Sequence, residues 1–335
     1  MRSIVRLGVV LNTMALAASS VGQPELKQPN SQDAQMCRAA AEAAQARGGL
    51  HGAAIIANGD STLFRDSFGL ADRDSRRPND PSLPFPIQSI TKCFTAIAIL
   101  QLVDDGTLSL SATLADLLPE YDFPSNDQIT VHHLLSHTSG IPDYFTTIEG
   151  YLQREPPTLT REEAMRLVAH MPLMFEPGKA FAYTNSGYVI LGMILERKTR
   201  KPYAAIIDAQ ICEPLGLENT HWLSKHQTNG MPRFYTAVDG EEAVPDSYFA
   251  GEGGIVSTLD DMSRFARALG AAELLTPDSW RRAFTPHALP ENAHFDHPAH
   301  RSPYGYGFSL LHWGAGDQRD LIVMHGGMGY GSTSM

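Results

Sequence analysis

The chain has 335 residues, 43% of them hydrophobic, which is ample for a sizeable core and too apolar for a disordered or fibrous protein. Its 26 Lys and Arg against 37 Asp and Glu give a formal net charge of -11, a balance with no electrostatic footprint for nucleic acid or an anionic membrane surface. Three cysteines, Cys37, Cys93 and Cys212, permit at most one bridge and exclude a disulfide framework.

Taken in chain order, residues 1–22 read as a signal peptide, with Arg2 and Arg6 ahead of an apolar run from Leu7 to Ala18 and small residues after it. Cleavage between Ala17 and Gln23 is expected, giving an exported protein, periplasmic or secreted, with no permanent membrane span. Residues 23–335 form the remaining domain. A polar linker over 23–32 leads into an Ala-rich helix from Asp33 to Arg47. Ala53 to Ala57 and Leu63 to Leu70 read as antiparallel strands joined by Asn58-Gly59-Asp60, a hairpin turn signal. Helical patterns then dominate: Thr91 to Asp104, Val131 to Ser136, Arg161 to Ala169, Asn185 to Lys198, Tyr203 to Ile211 and Asp260 to Leu269. Thr160 before Glu163, and Thr258 before Asp261, have the form of capping boxes. Strand signals return at Tyr304 to Trp313 and Leu321 to His325. Strands at both ends with helices between predict an α+β fold: one antiparallel sheet flanked by helices, with a mostly helical lobe inserted and the site where lobe meets sheet.

Three motifs in a fixed order carry the chemistry. Ser89-Ile90-Thr91-Lys92 opens an apolar helix, so serine and lysine, three residues apart, share a face and can meet. Serine at a helix N-terminus also lies at the positive end of the backbone dipole. A free lysine, with pKa about 10.4, is a poor base at neutral pH, so the site has to desolvate Lys92 or surround it with positive potential. Tyr183-Thr184-Asn185 supplies a phenol that shares the proton with Lys92 and an amide that can bind both lysine and a substrate carbonyl. His325-Gly326-Gly327 closes an apolar strand; the backbone N–H of Met328 after it can pair with that of Ser89 to hold an oxyanion. Each motif alone has a bland alternative: a capped helix with a surface lysine, a loop tyrosine before a capping asparagine, a strand-ending turn. Chance supplies about one Ser-x-x-Lys in a chain of this length. The ordered set points to a serine hydrolase needing no metal or organic cofactor and acting on a small-molecule or peptide substrate.

With these motifs stand FGLADRDSRRP, QSITKCFTAIAILQLVDDGTLSL, ITVHHLLSHTSGIPDY, FEPGKAFAYTNSGYVILGMILE, EPLGLENT and GGIVSTLDDMSRFARAL. From about residue 50 onward the chain resembles the serine beta-lactamase and penicillin-binding-protein superfamily, in its class C-like branch of beta-lactamases, DD-peptidases and esterases. The resemblance implies a beta-lactamase/transpeptidase-like fold, with Ser89 acylated, Lys92 its base partner, Tyr183 the second acid/base and Asn185 a ligand of substrate and lysine. It departs at the third motif, where the beta-lactamases carry Lys-Thr-Gly. A histidine, mostly neutral at pH 7, supplies no fixed charge there and is similar to the esterase and peptidase members. Ester or D-amino-acid peptide hydrolysis is therefore expected above beta-lactam hydrolysis. The alternative is a non-catalytic or single-turnover sensor of beta-lactams or peptidoglycan. The chain stops at Met335, directly after the third motif, so the domain reads as truncated and marginal stability or poor solubility is expected.

Other clusters read as structural. Cys93 reads as a buried thiol rather than a nucleophile. His287, His294, His297 and His300 suggest a solvated loop before a zinc site, and His133 and His137 lack an intervening glutamate. Gly251, Gly253 and Gly254 suggest a flexible wall of the substrate cleft, since no Lys-Ser/Thr pair follows them.

Overall fold

A helix that is apolar on every face has to lie inside the molecule, and the stretch after the Ser-x-x-Lys tetrad is one. In the computed structural model it forms α1, Thr91–Asp104, with every residue from Thr91 to Leu100 buried. The structure describes residues 7–11, 35, 38, 39, 42, 43, 52–58, 61–148, 159–223, 231–235, 242–243, 249–289, 293, 302–313, 320–329 and 332–334. α5 (Asn185–Thr199) and α6 (Tyr203–Ile207) pack on α1, α2 (Val131–Leu135), α3 (Tyr144–Thr147) and α4 (Arg161–Ala169) pack in turn on α5, and α7 (Leu259–Gly270) and α8 (Pro277–Ala283) join the same core. Phe94 of α1 stacks on Phe265 of α7 with ring centroids 4.2 Å apart.

The helix starts are set by short polar side chains. Thr130, Asp143, Thr160, Thr184, Thr258 and Thr276 each accept a hydrogen bond from a backbone N–H in the first turn that follows. Thr160 and Glu163 form the reciprocal capping box that their spacing predicts. Thr258 caps α7 alone, because the Asp261 carboxylate accepts instead from Asn219 N and the Thr220 hydroxyl. The predicted helix from Tyr203 ends its regular part at Ile207 and continues as a wide turn over Asp208–Cys212. Sequence periodicity did not reveal α8, whose seven residues offer few apolar positions to repeat.

Strand pairing is antiparallel, as expected, but is divided among small sheets within the described residues. β1 (Leu7–Leu11), β2 (Gly52–Asn58) and β3 (Ser61–Phe68) lie side by side, with a bulge between Ile56 and Ala57. The apolar run of the predicted signal thus contributes an edge neighbour to β2; Gly59 and Asp60 of the predicted turn, and most of the predicted helix over 33–47, lie outside the described residues. β4 (Phe85–Pro86) and β5 (His221–Trp222) flank β6 (Ile255–Ser257). β7 (Ser309–Trp313) pairs with β8 (Asp320–Met324), and β9 (Gly327–Gly329) with β10 (Ser332–Ser334). The strand expected from Tyr304 begins only at Ser309, since Tyr304 turns back to bridge Ala288 and Ser309. β9 packs beside the turn that leads into α1, so the third motif reaches the first.

Candidate active site

Ser89 occupies a single tight turn, Gln88–Ile90, that runs directly into α1. Gln88 ahead of it is buried and has φ of +51°, a left-handed conformation that costs a non-glycine residue about 1–3 kcal/mol and persists only where the surroundings enforce it. One turn on, Lys92 is fully buried, with Nζ 3.0 Å from Ser89 Oγ, 2.8 Å from Asn185 Oδ1 and 2.8 Å from the carbonyl oxygen of Glu252. Its aliphatic stem lies in the core with the rest of the first turn of α1.

Asn185, the first residue of α5, is oriented by Asp143, the cap of α3. Asp143 Oδ2 accepts from the Asn185 backbone N–H at 3.1 Å and from Nδ2 at 3.0 Å, which turns Oδ1 toward Lys92. Burial raises the Asp143 carboxyl, with the bonds from Phe145 and Asn185 and the Lys92 charge pulling the other way. The Tyr183 ring centroid is 5.0 Å from Lys92 Nζ. Burial pushes its phenol up, while the Lys92 charge and hydrogen bonds shared with Ser89 and Lys92 pull it down. Beneath it lies His137, ring centroids 4.3 Å apart, whose Nδ1 accepts from Thr184 N at 3.3 Å.

The third motif divides. The β9 backbone of Gly327 and Met328 runs beside the Ser89 turn, with Met328 paired to Thr333. His325 is held away from the cleft: Nδ1 is 2.7 Å from the Gly326 carbonyl and Nε2 is 3.0 Å from the Tyr304 hydroxyl. A carbonyl only accepts, so the proton sits on Nδ1 and Tyr304 donates to Nε2. Burial, then the Lys92 charge, pushes the imidazole down to about 3, so it is neutral at physiological pH.

A serine and a buried lysine in hydrogen-bond contact, an amide turned onto that lysine and a phenol bonded to both are arranged for proton transfer and acyl chemistry. Residues 37–335 match the Beta-lactamase family model. The chain belongs to the beta-lactamase family. It is 30% identical over 266 residues to esterase EstB of Burkholderia gladioli, covering 68% of this chain and 67% of that one. It is 27% identical to penicillin-binding protein 4* of Bacillus subtilis (strain 168), covering 85% of this chain and 64% of that one. The chain thus spans about two thirds of the length of these curated relatives. Among solved structures, a D-amino acid amidase of Ochrobactrum anthropi SV3 complexed with L-phenylalanine amide matches with TM-score 0.73 and 26% identity, over 91% of this chain and 90% of that one.

In this member of the beta-lactamase family the discounted residues have structural tasks. Cys93 is buried and donates to the Gly307 carbonyl at 3.1 Å, and burial pushes its thiol far above the usual range. His133 caps α2, its Nδ1 accepting from Thr130 N at 3.2 Å. His287 stacks on Tyr306 at 4.1 Å and donates to the Arg282 carbonyl; His294, His297 and His300 lie outside the described residues. Residues 251–254 form a packed wall rather than a flexible one, because α5 crosses them closely. A Cβ on Gly192 would stand 2.5 Å from the Ala250 carbonyl oxygen, and one on Gly251, at φ +108°, would stand 2.1 Å from that of Tyr188. Sequence reasoning passed over Asp143, Tyr144 and Glu252. No local pattern marks Glu252, whose segment is brought inside by the close approach of α5 to Ala250 and Gly251.

Proposed function

We propose that this protein is a serine hydrolase that works through an acyl-enzyme on ester or D-amino-acid peptide and amide carbonyls. The observation carrying the proposal is the 3.0 Å contact of Ser89 Oγ with the fully buried Lys92 Nζ, which also lies 2.8 Å from Asn185 Oδ1 and 2.8 Å from the Glu252 carbonyl. Both of these groups can only accept. A neutral amine therefore spends its two N–H bonds on them and turns its lone pair to Ser89. Ser89 Oγ attacks the carbonyl carbon as its proton passes to Lys92; Tyr183 relays that proton to the leaving group, and water later releases the acyl group by the reverse path. The N–H groups of Ser89 and Met328 hold the oxyanion.

The neutral, inward-turned His325 supports ranking esters and amides above beta-lactams, because it offers no positive charge to a substrate carboxylate. The names of the relatives, an esterase and a D-amino acid amidase, favour the same substrates. Export to the periplasm or beyond is part of the proposal and rests on the sequence of residues 1–22. The test compares nitrophenol release from p-nitrophenyl acetate and nitrocefin turnover by wild type and Ser89→Ala, both checked for folding. Wild type is expected to favour the ester, and the variant to lose roughly a thousandfold or more in kcat. Equal activity in the variant would overturn the nucleophile, and faster nitrocefin turnover would overturn the ranking.

A further inference from the structure

The Glu252 side chain has no part in the mechanism above, yet it is among the most deeply buried charged groups in the molecule. It is 1% exposed, and its Oε2 lies 3.9 Å from Lys92 Nζ. Its Oε1 accepts a hydrogen bond from the Tyr144 hydroxyl. Among the described residues, the titratable groups facing it are Lys92 from α1, Tyr144 and Asp143 from α3 and its cap, and Tyr183 ahead of α5. A charge on Lys92 favours ionisation of Glu252, and Asp143 opposes it. The packing of Gly192 and Gly251 described above holds the backbone just before Glu252 against α5.

Resting on the reading of Ser89 and Lys92 as nucleophile and base, we propose that Glu252 is a positioning residue of the reaction, the carboxyl that takes the proton Lys92 has to give up before it can act on Ser89. A dry site favours a neutral acid–amine pair over an ion pair that water cannot solvate. The proton leaves Nζ for Oε2, the oxygen that faces it, once the gap closes by about 1 Å to hydrogen-bond range. Oε1 keeps its bond from Tyr144 in either state. Neutral Lys92 then keeps two N–H bonds, to Asn185 Oδ1 and the Glu252 carbonyl, and receives the Ser89 proton on its lone pair. That proton goes on through Tyr183 to the leaving group, so the Glu252 carboxyl ends the cycle as it began. When Lys92 and Glu252 both carry a proton the base is blocked. Burial first, against the Lys92 charge and the Tyr144 bond, raises Glu252 from its usual 4.5 to about 7, so the blocked form gives way near neutrality.

The test is the pH profile of kcat/KM on p-nitrophenyl acetate, with Ser89→Ala alongside. Wild type is expected to lose activity through an inflection near pH 7 as pH falls. Glu252→Gln, folded by circular dichroism, is expected to lose that inflection, and Glu252→Asp to keep one. Tyr144→Phe removes a bond that favours the carboxylate, so its inflection is expected to move to higher pH; this arm stands if Glu252→Gln fails to fold. A Glu252→Gln profile lowered in amplitude with its inflection in place would reduce Glu252 to packing and overturn the proposal. So would a wild-type profile without an ionisation between about pH 6 and 8, or an unmoved inflection in Tyr144→Phe. Activity surviving in Ser89→Ala would instead fail the underlying reading, which separates the two.

Discussion

Lys92 meets the Ser89 hydroxyl, the Asn185 amide oxygen and the Glu252 carbonyl at 2.8–3.0 Å, and on the proposed mechanism it is the base. Lys92 is dry, its N–H bonds are assigned by obligate acceptors, and Tyr183 stands ready to relay its proton. Tyr183→Phe removes the relay and leaves the ring packing on His137, so kcat is expected to fall roughly 10²- to 10⁴-fold with little change in the melting temperature. Steady-state kinetics beside a thermal melt check this; an unchanged kcat would remove Tyr183 from the mechanism. His325 contributes to the pH dependence of stability. Its folded-state value of about 3 lies below the ordinary 6.5, so its neutral form contributes stability that is present above pH 6.5 and is lost as pH falls toward 3. His325→Gln does not titrate there, and its melting temperature is expected to fall less steeply than that of wild type across that window. Calorimetry over the same buffers gives the answer, and parallel curves would show that this histidine is not what acid attacks.

Elements place these groups through their ends. The turn before α1 presents Ser89, the first residue of α5 presents Asn185, and the 251–254 segment presents a carbonyl to Lys92 because α5 can approach it at glycine. Gly192→Ala puts a methyl 2.5 Å from the Ala250 carbonyl and has to push that segment away. The change is expected to cost about 1–3 kcal/mol of stability and to lower kcat as the Glu252 carbonyl leaves Lys92. Denaturant unfolding with kinetics tests both, and a variant equal to wild type in each would show that the contact is slack. Much of this level was legible in the sequence. Short-range patterns marked α1, α5 and the Thr160 cap, because burial on every face and i, i+3 capping are local properties. The tetrad and the Tyr-Thr-Asn motif were legible for the same reason. Asp143, Tyr144 and Glu252 were not singled out, since their roles arise from contacts 42, 108 and 160 residues away along the chain. The direction of the His325 side chain was hidden likewise, being decided by Tyr304, 21 residues earlier.

For the whole molecule, the site exists only when distant parts of one chain meet: the turn at Ser89, the start of α5, the 251–254 segment and β9. The first three pack on the large core that contains α1, and β9 packs against the Ser89 turn, so activity and tertiary structure are expected to disappear together in a urea titration. Loss of activity well before the circular dichroism changes would mean that the site is carried by a separately unfolding part. The helices around α1 and the antiparallel strands beyond them give this chain a packed bed for the Ser89 turn. The central claim is a covalent one, that a substrate acyl group rests on Ser89. It is tested most directly by quenching the enzyme in acid seconds after mixing with p-nitrophenyl acetate and mapping peptide masses. The account predicts one acetyl group on the Ser89 peptide during turnover, absent from Ser89→Ala and discharged once substrate is exhausted; an active enzyme whose Ser89 peptide is never acylated would contradict it.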